Sequence, residues 1–252
     1  MAESDTFKAL LELIALLRQR CPWDREQTHL SLRSSLLEEC YEVLETIDSG
    51  QPEELCQELG DLLMQVLLHA QIAAEAGHFD MEAVMLGMRK KLIYRHPHVF
   101  GETKLQESQQ VVEQWHRLKR EEGQGTLLDN IPTSLPALAY SQEIQQRVAT
   151  EGFDWPEVAG VVEKLVEEVG ELAQAATTPE KEAEWGDVLF TLSNVARRRG
   201  VDMETALRLA NSRFRERYDH MAKLCQAQGL RFSQLSFSEQ NALWEEAKKE
   251  VP

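Results

Sequence analysis

The sequence predicts an all-α protein made of two copies of one acidic helical module. Three observations carry this. Apolar residues recur at helical spacing nearly everywhere, and strand-like alternation is almost absent. Glycine (13) and proline (8) are scarce against an abundance of Leu, Glu, Ala and Gln, a mixture that favours helix over sheet. An ordered set of short patterns in the first half of the chain also returns in the second.

The elements follow in order. Phe7, Leu10, Leu11, Ile14 and Leu17 keep the i, i+3, i+4, i+7 rhythm of one buried stripe. Leu32, Leu36, Val43, Leu44 and Ile47 mark a second helix, stopped by Ser49-Gly50 and followed by Pro52, a residue suited to a helix start. Leu55 to Ala70 form a long third helix that stops at Gly77. Asp80 is the expected N-cap of a fourth, which ends near Tyr94 before His96-Pro97. A fifth covers roughly 107–121. Gly123-Gln-Gly125, with Pro132 and Pro136 after it, interrupts the pattern. The expected organisation is therefore a helical domain over 1–122, a linker over 123–136 and a second helical domain over 137–252. Near the end, Ser236-Phe-Ser-Glu239 has the form of a capping box before a last helix that reaches about Glu250.

The repeat is explicit. Leu37-Glu-Glu-Cys-Tyr-Glu42 returns as Val166-Glu-Glu-Val-Gly-Glu171, 129 positions on, and Glu58-Leu-Gly-Asp61 as Glu184-Trp-Gly-Asp187, 126 positions on. Asp80-Met-Glu82 returns as Asp202-Met-Glu204, and Lys91 with Arg95 as Arg213 with Arg217, each 122 positions on. The shrinking offset places small deletions in loops and leaves the helices in register.

Composition excludes some classes. A formal net charge of −16 argues against a protein that coats a nucleic-acid polymer or an anionic membrane. It does not argue against a nucleotide held through a metal ion and a few local cations. No apolar run approaches the roughly 20 residues that span a bilayer, and the first residues lack the form of a secretory signal. Cys21, Cys40, Cys56 and Cys225 show no CxxC spacing, so reduced thiols and a cytoplasmic location are expected.

The repeated residues point to a chemistry. Glu167 and Glu171 lie one helical turn apart, with Glu168 beside them, and Glu184 and Asp187 share a face of the next helix. If a short connection pairs these helices antiparallel, the carboxylates converge on one seam. That many anions need a counter-charge, and hard divalent ions such as Mg²⁺, or Mn²⁺ in its place, prefer oxygen ligands. A single ExxE is common on solvated helices and means little; the same EExxE then ExxD order, twice, means more. A di-iron carboxylate bundle would need two Glu-x-x-His pairs. The chain has one, Glu113 to His116, and it is unrepeated. Each acidic set is followed by a basic pair one turn apart, Lys91 and Arg95 or Arg213 and Arg217, which suits phosphate oxygens. His69, on an apolar helix, reads as a core or interface residue, and His96 and His98 straddle Pro97 and share no helix face.

These patterns, with Cys-Pro-Trp-Asp at 21–24, Arg-His-Pro-His-Val-Phe-Gly at 95–101 and Gly152-Phe-Asp-Trp155, resemble the MazG nucleoside triphosphate pyrophosphohydrolases over essentially the whole chain. The resemblance implies an all-α fold whose four-helix bundles are completed by dimerisation. It also implies Mg²⁺-dependent hydrolysis of nucleoside triphosphates, ribo or deoxy, to monophosphate and pyrophosphate by a metal-activated water, in nucleotide-pool house-cleaning. By that resemblance Glu168, Glu171, Glu184 and Asp187 are metal ligands, and Glu167 is a ligand or the base that orients water. Glu38, Glu39, Glu42, Glu58 and Asp61 are the corresponding metal set of the first copy. Arg213 and Arg217 take phosphate oxygens, Arg213 standing where the family usually has lysine, with Lys91 and Arg95 as weaker counterparts. Asn194, associated in the family with the nucleotide site, aligns with Leu68, so the second copy is expected to be the main catalyst. The first is left to dimerise, bind metal or retain weak activity. Trp155 either stacks on the base or packs at a helix start. The competing reading is a non-catalytic module that binds a nucleotide or partner through a degenerate site. A homodimer or higher homo-oligomer is expected, because a two-helix seam needs a partner to complete a bundle.

Overall fold

The computed structural model describes residues 3–105, 107–121, 126–129 and 131–251. Among them are twelve α-helices, one 3₁₀ turn and no strand. The all-α expectation holds. The chain divides into two compact units, Met1–Lys119 and Arg120–Pro252. Gly123-Gln-Gly125, the expected break, lies outside the described residues, as do the side chains of Glu113 and His116.

The first unit contains α1 (Glu3–Arg20), α2 (Pro22–Glu26), α3 (Arg33–Ser49), α4 (Pro52–Glu75), α5 (Met81–Arg95), α6 (Pro97–Phe100) and most of α7 (Ser108–Glu121). Helices α3 and α4 form a hairpin, since Gly50 turns the chain in the left-handed conformation (φ 66°) and Pro52 starts the next helix. The predicted stripe of α1 is the core: Ile14 is buried with Leu32, Leu67 and Leu68, and Phe7, Leu10, Leu11 and Leu17 pack around them. A buried arginine ties the corner together. Arg18 pairs with Glu75 of α4 at 2.6 Å and donates to the carbonyls of Asp24 and Gln27. The two short helices, α2 and α6, each begin at a proline, a start signal that apolar periodicity alone passes over.

The second unit repeats the plan with α8 (Ala137–Ala149), α9 (Val158–Gln174), α10 (Thr178–Arg198), α11 (Met203–Ala227) and α12 (Phe237–Glu250). Helices α9 and α10 are the counterpart of α3 and α4 and pack along their length as a hairpin with a three-residue connection. A capping box sets the start of α10: Thr177 Oγ1 accepts from the Glu180 N–H, and the Glu180 carboxylate accepts from the N–H groups of Thr177 and Ala176. The repeat extends to the caps. Asp80 accepts from Ala83 N at 2.9 Å, and Asp202 accepts from Thr205 N at 2.6 Å. The capping box read at Ser236 and Glu239 also forms, with α12 folding back on α11 over buried Met221, Cys225, Leu243 and Ala247. Within the stretch read as a linker, Ile131 is buried and Arg147 donates to the Leu127 carbonyl. That part of it packs on the second unit.

Candidate active site

The α9–α10 hairpin brings the second acidic set together. Val161 and Val188, one from each helix, are buried in the hairpin. Their packing fixes the helical faces, so Glu168, two turns after Val161, and Glu184, one turn before Val188, face a common seam. Ligand oxygens of Glu168, Glu171 and Glu184 lie within 4.8 Å of one another. Glu168 is buried, Glu184 half-buried and Glu171 exposed. Glu184 feels the crowding. Burial, then the charges of Glu171, Glu168 and Asp187, push its carboxyl above the usual range, and Lys164 opposes them. Its Oε2 is buried without a hydrogen-bond partner among the described residues.

Asp187 is exposed and reaches this group through its charge on Glu184; it is not among the three closest acids. Glu167 is also exposed and is turned to Lys164. Lys164, one turn before Glu168, reaches Glu167 and Glu168 at 2.8 Å each and is held protonated well above its ordinary range by those two bonds. Sequence reasoning passed over this lysine. Its signal was the i, i+4 spacing to Glu168, which makes it a resident counter-charge beside the acids.

The first copy forms a related cluster. Oxygens of Glu39, Glu58 and Asp61 lie within 4.8 Å of one another. Burial, and then the neighbouring acids Asp61 and Glu42, raise Glu39, with a hydrogen bond from Gln65 opposing. Burial, Glu42, Asp61 and Glu54 raise Glu58. Glu42 thus joins through its charge on both and through a side-chain hydrogen bond with Glu39, and Glu38 is exposed. The residue four before Glu39 is Ser35, so the counterpart of Lys164 is missing.

An all-oxygen set of mutually repelling carboxylates fits a hard divalent cation in either copy, and in the second Glu184 adds an orphaned buried oxygen. The copies differ in what lies beside the acids. In the second, a cavity of about 470 Å³ opens between α8, the 152–156 loop and α10, lined by Phe153, Trp155, Phe190, Asn194 and Arg197 among others. Phe190 and Asn194 follow Asp187 on α10, so the cavity begins one turn beyond the acids. Two residues singled out in the sequence, Trp155 and Asn194, meet here.

A relay holds this wall. Asp154 accepts from Arg197 at 2.6 Å and from Arg198 at 3.2 Å, and Arg197 donates to Asn194 Oδ1 at 3.1 and 2.8 Å. Burial raises the Asp154 carboxyl, but its bonds from Arg197 and the Trp155 N–H and the two guanidinium charges outweigh that and leave it below the usual range. Trp155 lies against α9 at Gly160, where a Cβ would stand 2.8 Å from the indole Cε3. In the first copy Leu68 occupies the place of Asn194 and is 3% exposed within the core. An apolar contact there replaces the amide.

The basic pairs sit differently from the acids. Arg217 Nε donates to the Val251 carbonyl at 2.9 Å, and its guanidinium lies over Trp244 at 5.7 Å. Arg213, one turn before, is exposed. The first copy repeats the motif, with Arg95 over Trp115 at 5.2 Å and Lys91 exposed. His69 stacks on His29, with the two Nδ1 atoms 2.8 Å apart, and His96 lies 5.5 Å from His98 between ring centroids. No helix among the described residues is long and apolar enough to cross a membrane.

Comparison with known proteins agrees with this geometry. The model of the MazG nucleotide pyrophosphohydrolase domain matches twice, at residues 27–100 and 157–222, which span the two acidic hairpins. The chain is 40% identical over 247 residues to the nucleoside triphosphate pyrophosphohydrolase/pyrophosphatase MazG of Thermotoga maritima, covering 96% of this chain and 95% of that one. It is 38% identical over 259 residues to the nucleoside triphosphate pyrophosphohydrolase of Escherichia coli K12, covering 99% and 98%. The chain belongs to the MazG family and carries the family's domain in tandem.

Proposed function

We propose that this protein hydrolyses nucleoside triphosphates to nucleoside monophosphate and pyrophosphate, with Mg²⁺, and that the second copy is the main catalytic site. The observation that carries this is that α10 brings Glu184 of the Glu168–Glu171–Glu184 cluster and, beyond it, Asn194 of the cavity wall onto one helix, with Trp155 lining the same cavity. In the proposed division, residues 1–122 and 137–252 are the two domains and 123–136 joins them.

The residues divide the work by chemistry. Glu168, Glu171, Glu184 and Asp187 would hold the metal, which when bound supplies Lewis-acid polarisation of the phosphoryl oxygens and lowers the pKa of water. Glu167, exposed and adjacent, orients the attacking water, with Lys164 paired to it at 2.8 Å. Trp155 and Phe190 take the flat face of the base, and Asn194 a polar edge. Asp187 and Asn194 are seven residues apart, about 10 Å along the helix, a span that ribose and α-phosphate bridge. Arg213 and Arg217 are assigned to phosphate oxygens, Arg217 after exchanging the Val251 carbonyl for a stronger, charged acceptor.

The first copy keeps Glu38, Glu39, Glu42, Glu58 and Asp61 but has Leu68 and Ser35 in place of Asn194 and Lys164. We assign it metal binding without the asparagine of the base site, with Lys91 and Arg95 as weak phosphate contacts. A homodimer is supported by apolar residues left exposed on the α9–α10 hairpin: Val166 is 68% exposed, Val169 50% and Trp185 56%. A role in clearing aberrant nucleotides from a cytoplasmic pool accords with the family resemblance and with the formal net charge of −16. Mn²⁺ would substitute for Mg²⁺ in an all-oxygen site.

Hydrolysis in ¹⁸O-water tests the bond cleaved. Attack at the α-phosphorus places the label in the monophosphate and releases unlabelled pyrophosphate. Label in orthophosphate would overturn the assignment.

A further inference from the structure

One group in the cavity wall is left without work by the roles assigned so far. Gln145, on α8, is 4% exposed and lines the cavity. Its Nε2 donates to the Phe190 carbonyl at 2.8 Å. A carbonyl only accepts, so this bond fixes which end of the amide is which and turns Oε1 away from the α10 backbone. That oxygen is buried and has no hydrogen-bond partner among the described residues.

A second glutamine on the same helix shows what a purely structural amide does here. Gln142 donates to the carbonyls of Ser193 and Val201, at 3.3 and 2.8 Å, and accepts from Met203 N at 2.9 Å. Every part of it is bonded, and it clamps α8 to α10 and to the start of α11. Gln145 makes half of such a set and stops. Burying an amide oxygen without a donor is destabilising, so the arrangement makes sense if an occupant of the cavity brings the donor.

The rest of the wall says what kind of occupant. Trp155 and Phe190 offer flat apolar faces. The Asn194 Oδ1 is taken by Arg197, so what Asn194 has left for a ligand is its N–H₂. The cavity wall thus holds one fixed acceptor and one donor on an aromatic background. A heterocycle with an N–H next to a ring nitrogen or carbonyl complements both.

We propose that Gln145 reads the base: its Oε1 accepts a hydrogen bond from an amine or imide N–H of the nucleobase, and the site discriminates against triphosphates whose base lacks that donor. This rests on the assignment of the cavity to the nucleoside. Gln145 is a specificity residue and touches neither metal nor phosphate. Each ordinary base carries such a donor, so one acceptor serves several of them. A base stripped of it leaves Oε1 buried and unpaired, and that penalty falls on binding.

The test compares substrates that differ by the donor alone. Steady-state pyrophosphate release by the full chain with Mg²⁺ is measured for ATP against purine riboside triphosphate, and for CTP against 2-pyrimidinone riboside triphosphate, in wild type and in Gln145→Met. In wild type the donor-less member of at least one pair should have kcat/KM lower by about tenfold or more, carried by KM. In Gln145→Met the two members should converge. Equal kcat/KM within both pairs in wild type would overturn the proposal, as would a preference that survives unchanged in Gln145→Met. Gln145→Met also removes the bond to Phe190; should it fail to fold, the wild-type comparison decides alone. Absence of pyrophosphate release from every nucleotide would refute the hydrolase reading instead. Calorimetric titration of the same pairs into wild type would then decide on base reading independently, with equal affinities refuting it.

Discussion

Asp154→Asn removes the charge that anchors the cavity wall while keeping the side chain's shape. The Asp154 side chain is 18% exposed, with Arg197 at 11% and Arg198 at 24%. Breaking a fully buried ion pair costs about 3–5 kcal/mol, much of it from the cation left behind. Here partial exposure lets water reach Arg198, and asparagine still offers one acceptor oxygen, so the loss should be about 2 kcal/mol. For a module of this size that lowers the melting temperature by about 6–8 °C. Scanning calorimetry reads it in the transition of the C-terminal unit. The carboxyl titrates below its ordinary 3.8 in the folded state. Its stabilisation is therefore complete above that pH and is lost as pH falls through the folded value, so wild type and variant should differ fully at pH 7 and converge in acid. Because Arg197 also holds Asn194, KM for the nucleotide should rise in parallel. A melting temperature within about 1 °C of wild type, with KM unchanged, would refute the claim that this relay holds the site.

Two further outcomes follow from the same geometry. Glu184→Gln should raise the melting temperature of the metal-free protein at neutral pH, because the folded carboxyl is raised, its ionised form being disfavoured by burial and then by Glu171, Glu168 and Asp187; the advantage should fade as pH falls through the folded value and wild type gains its proton. The variant should also lose most of the stabilisation that Mg²⁺ confers on wild type, and an unaltered metal-induced shift would contradict the ligand assignment. Gly160→Ala places a Cβ 2.8 Å from Trp155 Cε3. A helix propensity gain of about 1 kcal/mol should offset much of the clash, so stability should change little while the displaced indole raises KM, a pattern that thermal melts and initial rates separate.

The sequence carried the skeleton of this site and not its furnishing. Helices follow from apolar periodicity, and the duplication was visible because carboxylates cost too much to repeat by accident in one order. Asp80 and Asp202 were legible as caps since a cap bonds within its own turn. Contacts between distant positions were not. The Asp154–Arg197 bond joins a loop to a helix end 43 residues away, and no local pattern encodes it. The cavity needs Gln145 and Phe190 from different helices. Side-chain direction was equally hidden: spacing treats Glu171 and Glu42 as equivalents, yet Glu171 joins the close group of the second copy while Asp61 takes that place in the first. The copies also differ at Lys164, which pairs with Glu167 and Glu168 in the second, where the first has Ser35. The basic pair was legible as a pair, but its partners, Trp244 and the Val251 carbonyl, come from the last helix and the residue that ends it.

Pyrophosphate release from a panel of ribo- and deoxynucleoside triphosphates, with Mg²⁺ and with excess chelator, for wild type, Asp61→Ala and Asp187→Ala, tests the central claim most directly. The account predicts release that needs the metal, vanishes in Asp187→Ala and survives largely intact in Asp61→Ala. Release that persists in Asp187→Ala and is lost in Asp61→Ala would place the working site in the first copy and contradict it.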